Sequence, residues 1–120
     1  MRDRKAAEAF GGFGEKLATL LLVLKGYRIV ARQYRSPVGE IDIIARRGRV
    51  LIFIEVKARK TAATAETAIT TQQCTRIERA ASAFIQNRPD LAHLDMRFDA
   101  FLIIRGHWPI HIVDAWRPGY

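Results

Sequence analysis

Two apolar runs joined by a short basic link place the strongest constraint on how this chain folds. The runs are Gly39–Ala45, with the sequence GEIDIIA, and Ile52–Arg59, with the sequence IFIEVKAR. Both are rich in Ile, Val and Phe, which favour β-strands. The link, Arg46–Arg49, is short and contains Gly48, so the pattern predicts an antiparallel hairpin. Because the second run is apolar on both faces apart from its charges, we expect a sheet covered by helices on both sides.

Three charged residues interrupt these runs: Asp42 in the first, and Glu55 and Lys57 in the second. Charged side chains are almost never fully buried unless they are paired or bind something. Side chains alternate between the two faces of a strand, so Glu55 and Lys57 share a face. Asp42 joins them if the residue numbers that pair across the hairpin sum to 95 or 97. At 97 Asp42 lies directly opposite Glu55, and at 95 it faces Phe53 and lies diagonal to Glu55.

Two neighbouring carboxylates in such a place need a compensating positive charge. At about 4 Å apart they repel by roughly 4 kcal/mol at an effective dielectric constant near 20. Either Lys57 neutralises one of them in a structural ion pair, or the carboxylates hold a hard divalent cation. In a phosphodiesterase, such a cation polarises the scissile phosphate and lowers the pKa of the attacking water, and a nearby Lys stabilises the phosphoryl charge. The residues alone leave both interpretations open.

The charge of the chain indicates which class of partner it binds. The 120 residues suit a single domain and carry a formal net charge of +8, with a pI near 10.4. Fifteen of the 20 basic residues are Arg, whose planar guanidinium fits phosphate through two hydrogen bonds. This excess favours nucleic acid as the partner. An anionic membrane surface ranks second, because the sequence shows no basic amphipathic helix with an aromatic face.

Cysteine content and hydropathy exclude several classes of protein. Cys74 is the single cysteine, which excludes an internal disulfide and a cysteine-based zinc site. The basic start of the chain is not followed by the apolar core of a signal peptide. The apolar run Leu17–Leu24 is far shorter than the ~20 residues that span a bilayer. We therefore expect a cytoplasmic protein.

Hydrophobic periodicity and turn signals elsewhere predict two helices and three further strands. The helices are Gly14–Lys25 and Thr70–Asn87, and the strands outside the hairpin are Tyr27–Tyr34, Arg97–Ile104 and Ile110–Trp116. Residues 1–13 are predicted to be an N-terminal segment, helical or frayed, and residues 14–120 a single domain. Thr61–Thr67 is predicted to be a loop. The fold class that follows is α/β, with a mixed central sheet flanked by helices.

Four short motifs follow one another in a specific order. They are GEKLA at Gly14–Ala18, GEIDIIA and FIEVKAR in the hairpin, and RFDA at Arg97–Ala100. Their order and spacing resemble the YraN-like family of bacterial proteins, UPF0102, from about Gly14 to Trp116. Members of that family resemble the restriction-endonuclease-like superfamily, with its PD-(D/E)XK signature, and especially the archaeal Holliday-junction resolvases. The resemblance implies a restriction-endonuclease-like fold.

The resemblance also implies roles for particular residues. In the superfamily the signature Asp and Glu bind Mg²⁺ and the Lys assists phosphodiester hydrolysis, and these positions correspond to Asp42, Glu55 and Lys57. The carbonyl of Val56 would be a further ligand of Mg²⁺ or Mn²⁺. Glu15 corresponds to a catalytic glutamate in the first helix of resolvase-like members, although the helix dipole alone also favours Glu in a first turn.

Basic and polar residues around the hairpin are candidates for contacts with nucleic acid. The residues predicted to make these contacts are Arg32, Arg35, Arg46, Arg47, Arg59, Lys60 and Gln72. Gln72 lies in the stretch Thr70–Gln73, where family members often carry Lys. This departure removes one basic group from the predicted site.

The expected function is therefore that of a Mg²⁺-dependent endonuclease acting on nucleic acid, most simply DNA, with branched or damaged DNA as candidate substrates. One alternative is a non-catalytic nucleic-acid-binding module on a nuclease scaffold. Another is an assembly protein in which the three charged residues are structural. A homodimer would be needed to cut two strands of a junction symmetrically.

Overall fold

The computed structural model describes residues 2–61 and 69–118, with the side chains of residues 12–61 and 69–118. The described helices are α1, Arg2–Leu24, and α2, Thr71–Gln86, with a short 3-10 helix at Pro89–Leu91. The described strands are β1, Arg28–Ser36; β2, Gly39–Arg47; β3, Val50–Arg59; β4, Asp95–Ile104; and β5, Ile110–Trp116. Of the predicted loop Thr61–Thr67, all but Thr61 lies outside the described residues.

The five described strands form one sheet in the order β1-β2-β3-β4-β5. Neighbouring strands are antiparallel except for β3 and β4, which pair in parallel. Parallel neighbours need a long crossover connection, and α2 lies in the chain between these two strands. The sheet is therefore mixed, as the sequence predicts.

The core has two layers, one on each face of the sheet. Beneath α1, Leu22 packs in a buried cluster with Ile52 and Ile54. Beneath α2, the ring of Phe84 lies 6.3 Å from that of Phe53, centroid to centroid. Residues 51–54 of β3 are all fully buried and alternate between the two layers, and each such side chain contributes about 1.5–3 kcal/mol. The predicted α/β domain, with helices on both faces of its sheet, is confirmed.

The first helix is longer than predicted. It begins at Arg2, so the prediction of a helix starting at Gly14 was wrong. An interior glycine costs a helix about 1 kcal/mol relative to alanine, which good helix formers on both sides outweigh. Gly14 has a packing role, because a Cβ atom there would lie 3.0 Å from Cγ1 of Ile103. The separation of residues 1–13 from the domain stays a prediction. Among the described helices, none combines the length and apolar character needed to cross a bilayer.

The hairpin pairs in the register that places Asp42 opposite Glu55. Ile43 pairs with Ile54, so the paired residue numbers sum to 97 and the alternative sum of 95 is wrong. The turn is two residues long, and Gly48 has the positive φ, +60°, that such turns require. The turn length therefore determines the face on which Asp42 lies.

Gly39, at the start of β2, lets α2 approach the sheet closely. A Cβ atom at this position would lie 2.5 Å from the carbonyl oxygen of Arg76, a backbone atom of α2. Contacts that short do not occur, so any side chain at position 39 would push the helix away. The close approach brings the outer flank of α2 next to the turn between β1 and β2.

We expect Gly39→Ala to lower the free energy of unfolding by about 1–3 kcal/mol, the usual effect of overpacking. Gly12→Ala is the control, because nothing lies within 4 Å of a Cβ atom built at this glycine of α1. It should raise stability by about 0.5–1 kcal/mol through helix propensity. Urea denaturation of both variants tests the expectation, which a stable Gly39→Ala protein would contradict.

A buried carboxylate ties β4 to β5 and, through Arg97, to the connection between α1 and β1. Asp99 is fully buried and accepts hydrogen bonds of 2.8 Å from Nε and Nη2 of Arg97, and it lies 2.8 Å from Nε2 of His111. The backbone N–H of Asp114 donates to it at 3.0 Å, and Arg97 also donates to the hydroxyl of Tyr27 at 2.8 Å. Burial alone would raise the pKa of Asp99, but the bonds from His111 and Arg97 outweigh burial and hold it at about 2.

The low pKa of Asp99 links stability to pH. An unfolded Asp titrates near 3.9, so the contribution of Asp99 is complete above about pH 4 and is lost as the pH falls towards 2. We expect Asp99→Asn to cost about 3–5 kcal/mol at pH 6, because it leaves Arg97 without its buried partner. The difference from the wild type should shrink at pH 2.5. Urea titrations at both pH values test this, and an equal difference at both would contradict it.

Candidate functional site

The candidate site begins where β2 and β3 part. The ladder between the two strands ends at the pair Ile43 and Ile54. In the alternating pattern of an antiparallel ladder, the N–H of Val56 would next bond to the carbonyl of Ile41. It donates instead to Oδ2 of Asp42, at 2.7 Å. The carboxylate thus takes the place of a backbone partner and is held at the point where the strands separate.

Glu55 and Lys57 form an ion pair on the same face of β3. Nζ of Lys57 lies 3.0 Å from Oε1 of Glu55, and the two side chains are only 13% and 14% exposed. The shared face predicted from strand alternation is therefore present. The pair neutralises Glu55 and leaves Asp42 without a salt bridge among the described residues.

Asp42 remains in an unfavourable environment for a negative charge. Its burial, and then the charge of Glu55, raise its pKa to about 7, with a smaller contribution from Glu15. The hydrogen bond from Val56 and the charge of Lys57 act in the opposite direction but do not compensate. The surroundings of Asp42 therefore oppose its ionised form.

Glu15 extends the site from α1. Its Oε2 accepts a long hydrogen bond, 3.4 Å, from Gln33, and its Oε1 lies 3.6 Å from Nη2 of Arg32. Oε1 is buried and has no hydrogen-bond partner among the described residues. Gln33 lies opposite Asp42 in the β1–β2 register and has a positive φ, +51°, which is uncommon for a residue other than glycine. Backbone strain and an unsatisfied carboxylate oxygen thus occur beside Asp42.

A cleft of about 170 Å³ opens between these carboxylates and α2. Its lining residues are Glu40, Asp42, Glu55, Gln73, Arg76 and Ile77. Gln73 and Arg76 were not predicted as site residues, because Gln73 is not basic and Arg76 lies beyond the stretch Thr70–Gln73. The available signal was helical spacing, since Arg76 follows Gln72 by four positions and lies on the same flank of the helix.

Comparison with known proteins identifies the family. The profile of the uncharacterised protein family UPF0102 matches residues 14–103. The chain belongs to this family. A UPF0102 protein of Parvibaculum lavamentivorans is 50% identical over 113 residues, covering 94% of this chain and 85% of that protein. A UPF0102 protein of Maricaulis maris is 49% identical over 118 residues, covering 98% and 93%. One from Brucella canis is 43% identical over 121 residues, covering 100% and 96%.

Some of the residues predicted to bind nucleic acid in this UPF0102 member lie near the cleft. The guanidinium of Arg32 lies 3.6 Å from Glu15, and that of Arg35 lies 3.8 Å from the cleft residue Glu40. Gln72 lies on the outer flank of α2. Arg59 and Lys60 follow Lys57 at the end of β3.

Arg46 and Arg47 lie elsewhere. At about 3.3 Å per residue, they are about 13–17 Å from Asp42 along β2, at the hairpin turn. Arg46 donates to the carbonyl of Gly48 at 3.0 Å. The guanidinium of Arg47 lies 4.6 Å from the ring centroid of Tyr27, on the α1 side of the sheet. The predicted basic set is therefore divided between the two ends of the hairpin.

The donor groups fit an open, oxygen-based cation site. No three His, Cys, Asp or Glu side chains within the described part of the chain are arranged to hold a metal ion. Mg²⁺ does not need such a cage, because it is usually bound through one or two carboxylates and keeps waters and substrate phosphates as its other ligands. Asp42 and Glu55 supply two carboxylates to one cleft, and a cation bound there would offset the repulsion that helps to raise the pKa of Asp42.

The raised pKa of Asp42 predicts how the melting temperatures of its variants depend on pH. Its folded-state pKa lies above the value near 3.9 of an unfolded Asp, so its stabilising contribution is present below about pH 4 and is lost as the pH rises through 7. At pH 8 in chelator, Asp42→Asn should raise the melting temperature by about 4 °C or more, the shift that ~1 kcal/mol produces in a small domain. At pH 5 the gain should largely disappear.

Asp42→Ala is the matched control, because it also removes the charge but leaves the N–H of Val56 without an acceptor. It should be less stable than Asp42→Asn by about 1–3 kcal/mol. Thermal melts at both pH values separate the two effects. Destabilisation by Asp42→Asn at pH 8 would show that the charge of Asp42 is structural.

Proposed function

We propose that this protein is a divalent-metal-dependent nuclease that hydrolyses phosphodiester bonds in nucleic acid, most simply DNA. The observation that carries the proposal is that Asp42 and Glu55 line one cleft, where burial and the charge of Glu55 raise the pKa of Asp42. A fold tolerates two neighbouring carboxylates when a bound cation compensates their negative charge during function. The resemblance of the hairpin motifs to the restriction-endonuclease-like superfamily supports the same reaction.

Asp42 and Glu55 would hold Mg²⁺ or Mn²⁺, with the carbonyl of Val56 as a further oxygen. The cation, when bound, polarises the phosphate and lowers the pKa of a water. Asp42 presents Oδ1, because Oδ2 is occupied by the N–H of Val56. This bond fixes the orientation of the carboxylate, so its free oxygen needs little reorganisation to act as a ligand.

Lys57 and Glu15 act on the substrate. Lys57 is held by Glu55 at 3.0 Å, which places its ammonium group beside the carboxylates, where charge on the phosphoryl oxygens is stabilised. Glu15 has a buried oxygen that can accept a hydrogen bond from water. We assign it the role of positioning that water next to Asp42.

The size of the cleft favours a polymer as the substrate. At about 170 Å³ it is smaller than the ~300–1,000 Å³ typical of small-molecule sites, and its walls are charged. A single phosphate group of a longer chain suits it better than a whole metabolite does. The net charge of +8 supplies the attraction for such a polyanion.

A second candidate function is nucleic-acid binding without hydrolysis. The observation that favours it is the absence of a lysine in Thr70–Gln73, where Gln72 occurs instead. Binding would then use the same surface, with the carboxylates retained for structure.

The decisive experiment is a cleavage assay on labelled branched, nicked and single-stranded DNA with Mg²⁺, Mn²⁺ or EDTA. We expect cleavage only with metal, and we expect Asp42→Asn, Glu55→Gln and Lys57→Ala each to reduce it by about 10²-fold or more while binding persists. The losses should not add in double variants, because the three groups act as a unit.

Asp90→Asn is the control for the loss of one carboxylate, because Asp90 lies on the 3-10 helix in an exposed ion pair with Arg88. It should cleave like the wild type. Wild-type protein that binds every substrate and cleaves none would overturn the nuclease proposal in favour of the binding module. Cleavage that survives Asp42→Asn would place the reaction at another site.

A further inference from the structure

A second concavity lies on the outer flank of α2, next to the turn between β1 and β2. It has a volume of about 560 Å³, and its lining residues are Pro37, Val38, Gln72, Thr75, Arg76 and Arg79. Arg76 also lines the cleft that contains Asp42 and Glu55. The two concavities are therefore neighbours that share one arginine, and we call the second one the α2 groove.

Helix geometry aligns three residues of this groove. Gln72, Arg76 and Arg79 follow the spacing i, i+4, i+7, so they lie on one flank of α2. The buried face of the helix, which includes Ile77 and Ala80, points to the sheet. With a rise of about 1.5 Å per residue, Arg79 lies about 4.5 Å further along the helix axis than Arg76. The flank thus presents two guanidinium groups in line with the cleft.

Arg76 and Arg79 have no carboxylate partner in the part of the chain that the structure describes. Arg76 and Arg79 are exposed and form no ion pair with any described residue, whereas Arg97 and Arg117 are paired with aspartates. Unpaired guanidinium groups on a concave surface suit phosphate, which they bind through two hydrogen bonds.

The packing of α2 against the sheet fixes the backbone position of Arg76. Because a Cβ atom at Gly39 would lie 2.5 Å from the carbonyl of Arg76, α2 is packed against the start of β2 at this residue. Arg76 is therefore anchored at the boundary between the cleft and the groove. The Gly39 that permits this packing belongs to the same GEID motif as Asp42.

We propose that the α2 groove holds the nucleic-acid strand adjacent to the scissile phosphate, with Arg76 and Arg79 contacting successive backbone phosphates. This inference rests on the proposed function, because it takes the cleft as the place of reaction. No aromatic side chain lines the described groove, so the contacts are to the backbone and carry no base sequence information. The strand therefore passes along α2 and away from the hairpin turn.

The test compares two double variants that each remove two exposed arginines. Arg76→Ala with Arg79→Ala alters the groove, and Arg28→Ala with Arg49→Ala alters the hairpin-turn end, where neither arginine has an ion pair among the described residues. Binding of labelled single-stranded DNA of two unrelated sequences is measured in EDTA by fluorescence anisotropy, from 50 to 200 mM salt. Circular dichroism and thermal melting check that both variants fold.

We expect the groove variant to bind both sequences more weakly and to reduce the slope of log affinity against log salt by about 1.4, or about 0.7 for each phosphate contact. The hairpin-end variant should keep the wild-type slope. Arg76→Lys with Arg79→Lys should recover most of the slope, because it restores both charges. If the alanine variant lost binding only because it misfolded, restoring the two charges would not be expected to recover the slope.

Two results overturn the inference and are distinct from failure of the proposed function. Equal slopes for the groove variant and the wild type would show that the strand does not contact α2. A slope reduced only in the hairpin-end variant would place the strand on the other end of the sheet. In either case metal-dependent cleavage by the wild type would still support the nuclease. Wild-type protein that does not bind DNA at all would overturn both proposals.

Discussion

The two-residue turn between β2 and β3 determines where the carboxylates of the candidate site lie. A turn of this length allows one register, and that register, continued past its last pair of Ile43 and Ile54, brings Asp42 level with Glu55. One residue more or less in the turn would move Asp42 to the opposite face of the sheet. Because β3 is buried by helices on both sides, its apolar residues hold this register firmly. The position of the carboxylates is thus a consequence of core packing.

The same arrangement gives Asp42 surroundings that oppose its charge. Lys57 neutralises Glu55, and the charge of Asp42 is stabilised by the N–H of Val56 and by Lys57. Burial and the charge of Glu55 outweigh both and raise its pKa to about 7. On the other side of the sheet, Asp99 is a structural carboxylate surrounded by hydrogen-bond donors, and these hold its pKa at about 2. The contrast between half-buried Asp42 and fully buried Asp99 distinguishes the candidate site from the structural network.

Much of the fold and part of the site could be predicted from the sequence. The hairpin, the sheet class and the common face of the three charged residues follow from local patterns of β-formers and charge. The register of the hairpin could not be predicted, because pairing sums of 95 and 97 both place the three charged residues on one face. The bond from Val56 to Asp42 and the close approach of α2 at Gly39 depend on where strands part and how a helix packs. Such tertiary features leave no periodic signal. The start of α1 was predicted wrongly because helix propensity is a weak constraint.

The parallel pairing of β3 with β4 has a consequence for how the protein assembles. It joins residues about 45 positions apart, whereas the hairpin joins near neighbours in the chain. The entropy lost on closing a loop grows with loop length, so the hairpin forms with less loss than the crossover does. The carboxylates therefore meet through a local contact. The second wall of the cleft, supplied by α2, comes from the long connection, and the site is complete only when the slower, non-local part of the fold has docked.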